Sequence, residues 1–380
     1  MNSRERLQSA LFHQEPDRIP CDLGTTTVTG IHVDAYRRLR TYLGLREVDI
    51  EIFQLSQQIA VVDQDVRQIL GVDVEPILPG IAAGGEVEIL EAPEYTAYYD
   101  EWGIGQKMPK DSPLYYSMHD HPLADVRDIS ELRDYPFPDP TDPLRFSGYS
   151  ERAEEIIQAG KGVIVNNISG GTMETASWMR GLENYFADLA LNEKLAMYLL
   201  DKVLEIKLAY WEIALDKLGD KVDVVIESDD LGAQEKTLIS PSMYRRLIKP
   251  RHKKLFDFIH SRSNAKIFFH SCGAIRPLIP DLIEIGVDIL NPVQVTSAGM
   301  ETEKLKHDFG RDLVFWGGAV DTQGILGTAT PAQVKDEVRR RIDDLAPGGG
   351  FIFAAVHNIQ ANVPPENIMA MWEILHEFGY

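Results

Sequence analysis

Along the second half of the chain, short runs of uniformly apolar residues alternate with longer stretches in which apolar positions recur every three or four residues. Short apolar runs fit strands buried on both faces, and the longer spacing fits helices with one face in a core. The pattern predicts helix 151–159 and strand 162–168, then helices filling 171–218. It continues with strand 222–227 and helix 241–261, strand 265–270 and helix 275–285, and strand 287–290 and helix 302–309. Strand 313–316 with helix 331–345 and strand 351–355 with helix 365–378 complete the series. Strict alternation with connections of this size means parallel strands and right-handed crossovers.

Nearer the N-terminus, a helix at 1–15 is broken by Pro16, and a strand at 18–24, a helix at 32–45 and a strand at 70–77 follow. Together these make about eight units, so the expected fold is an α/β (β/α)8 TIM-type barrel with an N-terminal helical extension. Near residues 85–145 the pattern changes to short segments rich in Val, Ile, Tyr and Trp, ending in Tyr135-Pro136-Phe137-Pro138-Asp139-Pro140. That section reads as a β-hairpin insertion or lid. A barrel needs about 250 residues, so 1–380 is read as a single barrel domain with room for the insertion.

Composition narrows the partners. A formal charge of −21, with carboxylates spread along the chain, repels nucleic acid and anionic membrane. No apolar run reaches the roughly 18 residues of a membrane span, and the start Met1-Asn2-Ser3-Arg4-Glu5-Arg6 has no signal-peptide apolar core, so a cytoplasmic location is expected. The two cysteines, Cys21 and Cys272, do not make a disulfide framework.

In a barrel, chemistry collects where the strands end. Those ends here carry Asn166; Glu227-Ser228-Asp229-Asp230; His270-Ser271-Cys272; Asn291 and Gln294; Asp321 and Gln323; and His357. Imidazole and thiolate are the ligand types zinc prefers, and His-x-Cys at the end of an apolar strand supplies one of each. His357, also just past an apolar strand, is the expected third ligand, with the fourth position open. Glu227, Asp229 and Asp230 are candidates for a fourth ligand, for orienting a ligand imidazole, or for a general base. Asp321 is a further catalytic candidate, and Asn166, Asn291, Gln294 and Gln323 are candidate substrate contacts. Cys272 reads alternatively as a nucleophile with a histidine base. Gly348-Gly349-Gly350 precedes its strand, which places it on the opposite face as a tight turn.

The segments Ile239-Ser240-Pro241-Ser242-Met243-Tyr244, Phe269-His270-Ser271-Cys272-Gly273, Gly286-Val287-Asp288-Ile289-Leu290-Asn291, Trp316-Gly317-Gly318-Ala319-Val320-Asp321 and His357-Asn358-Ile359-Gln360 resemble the uroporphyrinogen decarboxylase superfamily. That superfamily includes porphyrinogen decarboxylases and zinc-dependent methyltransferases that work with corrinoid proteins. Residues 20–27 hold no arginine where the decarboxylases carry an Arg-Gln-Ala-Gly-Arg-Tyr stretch. His270-Ser271-Cys272 is similar to the His-x-Cys zinc motif of the methyltransferases, whose third ligand is a cysteine where this chain has His357. Replacing a thiolate by a neutral imidazole makes the zinc complex more positive by one charge, which suits an oxygen substrate as well as a thiol.

The resemblance thus implies a zinc-dependent methyltransferase that acts between a small-molecule substrate and a partner corrinoid protein. The corrinoid is expected on the partner because no Asp-x-His-x-x-Gly occurs in the chain; a homodimer is compatible with the sequence. Two other readings stay open: a metal-free decarboxylase or lyase using His357 and Asp321 as acid/base groups, and a non-catalytic corrinoid-handling protein.

Overall fold

The computed structural model describes residues 1–378. Seven strands form one parallel sheet: β1 (Val74–Ile77), β2 (Gly162–Val165), β3 (Val224–Ser228), β4 (Lys266–His270), β5 (Ile289–Asn291), β6 (Val314–Trp316) and β7 (Phe351–Ile352). Each strand pairs with its neighbours in chain order, from β1 at one edge to β7 at the other. Helices cross over between successive strands, as a repeated β/α unit requires.

The two edges meet through residues 20–22. The Asp22 N–H donates to the Phe353 carbonyl (2.9 Å) and the Phe353 N–H to Pro20 (2.8 Å), while the Asp73 N–H donates to Cys21 (2.9 Å). This segment is the eighth stave, and the TIM-type barrel closes. It makes one ladder pairing, Cys21 to Phe353, where a full strand at 18–24 was expected. Pro20 has no N–H to give, and the Cys21 N–H goes to the Asp73 carboxylate (2.9 Å).

The N-terminal helix Ser3–Leu11 packs under the barrel, where Arg4 Nε holds Asp223 at 2.9 Å. Beside it, fully buried Asp73 accepts from Arg6 (2.8 Å) and Arg18 (2.7 Å). The triple glycine turns into β7 at this same end, with a positive φ at all three residues. Chemistry is therefore left to the opposite face.

Between β1 and β2 the expected hairpins form a four-stranded antiparallel sheet, Leu90–Glu91, Tyr95–Tyr99, Gly105–Pro109 and Ser117–Asp120. Two features went unforeseen: the small hairpin Ile52–Gln54 with Ile59–Ala60, and the helix Gln64–Leu70, which delays β1 to Val74. The expected helix 241–261 is interrupted by a π-helical turn, Tyr244–Ile248. No helix among the described residues is long and apolar enough to cross a membrane.

Candidate metal centre and its cavity

Alternation along β4 aims the site. Phe268 points into the barrel, edge-on to Trp316 with ring centroids 5.3 Å apart. Phe269 points out, against His252 and Phe256 of the helix Lys249–Arg262. His270 therefore returns to the inside. Ser271 turns away, and its hydroxyl accepts the Leu231 N–H at 3.0 Å. Cys272 comes back to the mouth, so His-x-Cys places both ligand atoms on one side. Gly273 has φ +89°, and a Cβ there would lie 2.3 Å from the Gly232 carbonyl carbon. This backbone contact, with the Cys272 N–H donating to Asp230 Oδ1 at 2.7 Å, fixes where the thiol sits.

His357 arrives from beyond β7. Its ring is edge-on to His270 at 5.5 Å between centroids, and His270 Nε2 is 3.4 Å from Cys272 Sγ. One ligand atom each from His270, Cys272 and His357 falls within 4.8 Å of the others, the one such group among the described residues. The His270 tautomer suits a metal. Asn291 Nδ2 donates to the Trp316 carbonyl (2.7 Å), so Asn291 Oδ1 is the atom left to accept from His270 Nδ1 (2.6 Å). The proton is thereby held on Nδ1, and the Nε2 lone pair faces Cys272 and His357.

Burial, with the His270 ring adding to it, pushes the His357 pKa down to about 3, so this imidazole is neutral and ready to donate its lone pair. Burial, then the negative charges of Asp230 and Glu174, pushes the Cys272 thiol up. A free nucleophile would need the opposite shift; a cation bound at the thiol would supply it. Two imidazoles and a thiol gathered within 4.8 Å therefore fit zinc in donor type.

Alternation also sorts the acidic loop. Glu227 points outward, where it accepts from Lys207 Nζ (2.8 Å) and Trp211 Nε1 (2.6 Å) of the helix Glu193–Leu218. Asp229, fully buried, accepts from Thr172 Oγ1 (2.9 Å) and from the N–H groups of Met173 (3.0 Å) and Glu174 (2.7 Å). It also holds His252 Nε2 at 2.6 Å. Neither carboxylate reaches the cavity, which corrects their assignment as catalytic: one neutralises a buried lysine, and the other caps the helix Thr172–Arg180.

Asp321 is corrected on the same ground, since its carboxylate accepts the N–H groups of Gln323, Gly324 and Ile325. Asn166 ties Nδ2 to the Thr25 carbonyl (3.0 Å), and Asn291 is occupied by His270, so neither is a free substrate contact. Gln294 accepts the Gly273 N–H at 2.7 Å and, with Gln323, lines the mouth beside Cys272. Of the three carboxylates in this loop, Asp230 alone lines the cavity, 3.7 Å from His270 Nε2.

His270, Cys272 and His357 lie where two cavities meet. One, of about 530 Å³, is lined by His270, His357, Asp230, Glu174, Trp102 and Trp178, among others. The second, of about 680 Å³, has His357, Cys272, Gln294, Gln323, Tyr115 and Gln360 in its wall. Glu174, Trp102, Trp178 and Tyr115 were not singled out from the sequence. Glu174 follows a Gly-Gly-Thr start just past β2, a signal that was present but submerged in a long helical stretch. Burial, and then repulsion from Asp230 and Asp229, pushes the Glu174 carboxyl well up.

The fold and this donor set define an α/β-barrel protein with two imidazoles and a thiol gathered at its strand ends. The family model described as uroporphyrinogen decarboxylase (URO-D) matches residues 100–378, and the chain belongs to that family. A curated relative, the uroporphyrinogen decarboxylase of Alkalilimnicola ehrlichii, is 24% identical over 99% of this chain and 94% of its own. Among solved structures, a methyltransferase from Methanosarcina mazei superposes with a TM-score of 0.66 at 18% identity, covering 100% of both chains. The curated relative is an enzyme, a decarboxylase, and the solved structure, described as a methyltransferase, shares the fold.

Proposed function

We propose that the protein is a zinc-dependent methyltransferase that moves a methyl group between a small substrate and a corrinoid carried by a partner protein. The observation that carries this reading is the convergence of His270, Cys272 and His357 within 4.8 Å. Three protein donors are the count of a catalytic zinc, whereas a structural zinc takes four. Bound there, zinc would act as a Lewis acid on a thiol or alcohol of the substrate and lower its pKa.

The chain's own residues do the rest. Asn291 holds the His270 ring and its tautomer, and neutral His357 keeps its lone pair available. Asp230, ordered by the Cys272 N–H, is the carboxylate placed to take a proton from a substrate bound beside the ligands. Gln294 and Gln323 present amides to whatever enters from the second cavity. Two cavities sharing one wall at the ligands suit two reactants approaching from different sides.

The decarboxylase reading has the curated relative in its favour. Against it, no lysine or arginine lines either cavity among the described residues, and a polycarboxylate needs cations to hold it.

Metal analysis tests the proposal first: about one zinc per chain is expected, lost in His270→Ala and in Cys272→Ala. Demethylation of methylcobalamin, followed by its visible spectrum with a thiol or alcohol acceptor, tests methyl transfer. Carbon dioxide release from a carboxylate substrate by zinc-free protein would contradict both parts.

A further inference from the structure

The cavity on the His270 side has a one-sided charge. Asp100, Glu101, Glu174 and Asp230 line it, and no lysine or arginine does among the described residues. Glu101 is neutralised from outside the cavity by an ion pair with Arg145. The other three have no lysine or arginine partner. Asp100 accepts the N–H groups of Trp102 (2.9 Å) and Ile104 (3.0 Å). Glu174 accepts the Gly171 N–H (3.0 Å) and Ser228 Oγ (3.1 Å).

Carboxylates crowded into one cleft repel one another, and a cation among them relieves that repulsion. The same wall carries Trp102 and Trp178, and tryptophan is the best aromatic partner for an organic cation. Trp102 is 5% exposed, and among the described residues its indole N–H has no hydrogen-bond acceptor. Zinc with one thiolate and two neutral imidazoles would carry one net positive charge, which a single carboxylate such as Asp230 offsets. With Glu101 paired to Arg145 and the Glu174 carboxyl pushed up by burial, Asp100 is the charge left without a cationic partner among the described residues.

We propose that this cavity takes a compact organic cation of the methylated-ammonium class. A cavity of about 530 Å³ falls within the range of small-molecule sites, whose few polar groups set orientation. The carboxylates select charge, and the indoles hold the methyl-bearing face. The same charges reject an anionic substrate. This inference rests on the site proposed above for its place in the reaction, but the charge preference belongs to the chain alone.

The test is calorimetric titration of the zinc-loaded and the metal-stripped protein with three probes of one shape. These are choline, its neutral analogue 3,3-dimethylbutan-1-ol, and the anion 3,3-dimethylbutanoate. Choline is expected to bind at least roughly tenfold more tightly than the neutral analogue, with the anion weaker still, in both metal states. Asp230→Asn and Trp178→Leu, each checked for an unchanged circular dichroism spectrum and melting temperature, are expected to erase most of that preference. Equal affinity for the neutral analogue, tighter binding of the anion, or no binding of any probe in the millimolar range would overturn it. A chain that holds zinc but shows no charge preference sinks this inference and spares the metal site; the reverse result does the opposite.

Discussion

The Asn291 amide links the barrel backbone to the His270 ring, accepting from Nδ1 and donating to the Trp316 carbonyl. Partners that orient a metal-ligating imidazole are commonly worth 10–100-fold in metal affinity. Asn291→Ala is therefore expected to weaken zinc binding by about that factor while leaving all three ligands in place; competition against a chromophoric chelator measures it. Asp229 and Asp230 give a second contrast. Asp229→Ala strips a buried cap and the partner of His252, and is expected to cost about 3 kcal/mol or more. Asp230→Ala, at a partly exposed side chain, is expected to cost about 1 kcal/mol or less. Denaturant melts of the two variants check both figures. The sequence made the His270, Cys272 and His357 cluster legible because His-x-Cys and His357 each follow an apolar strand. It did not separate Asp229 from Asp230, since residue type is the same and only strand parity, fixed by the true end of β3, tells inward from outward.

Elements carry the next layer. Glu227 and Lys207 join β3 to the long helix Glu193–Leu218, both buried. Glu227→Gln leaves the ammonium without its charge partner, and a loss of about 3–5 kcal/mol is expected, read from denaturant midpoints. The turn between Tyr95–Tyr99 and Gly105–Pro109 holds Asp100, whose carboxyl burial raises from 3.8 to about 6. A raised carboxyl pKa means the folded state favours the protonated form. Its stabilising contribution is complete below pH 3.8 and is lost as pH rises through about 6.

Asp100→Asn keeps the amide oxygen for Trp102 and Ile104 and removes the charge. It is expected to match the parent near pH 4 and to be more stable by on the order of 1 kcal/mol above pH 7, measured as melting temperature across that range. No gain at high pH would place Asp100 in a wetter setting than the turn allows. The helix 331–345 was legible to the residue and the helix 302–309 was placed near its bounds, because the apolar period runs through both. The first stave was not: its pairing depends on Asp73, 52 residues away, which no local pattern reports.

At the scale of the molecule, closure of the sheet through residues 20–22 brings ligands from β4 and from beyond β7 to one point. The same closure sets an acidic, tryptophan-lined cavity on one side of them and an uncharged one on the other. Barrel class and the meeting of His270, Cys272 and His357 followed from alternation and strand ends. The composition of the cavity walls did not, because the insertion that brings Trp102 and Tyr115 folds back by contacts between distant segments.

X-ray absorption at the zinc edge of the purified protein tests the central assignment most directly. The expected spectrum has one sulfur at about 2.3 Å and nitrogen or oxygen scatterers at about 2.0–2.1 Å, with imidazole outer-shell features that fall by half in His357→Ala. A zinc shell unaffected by that substitution, or protein that retains no zinc when refolded with a stoichiometric supply, would contradict it.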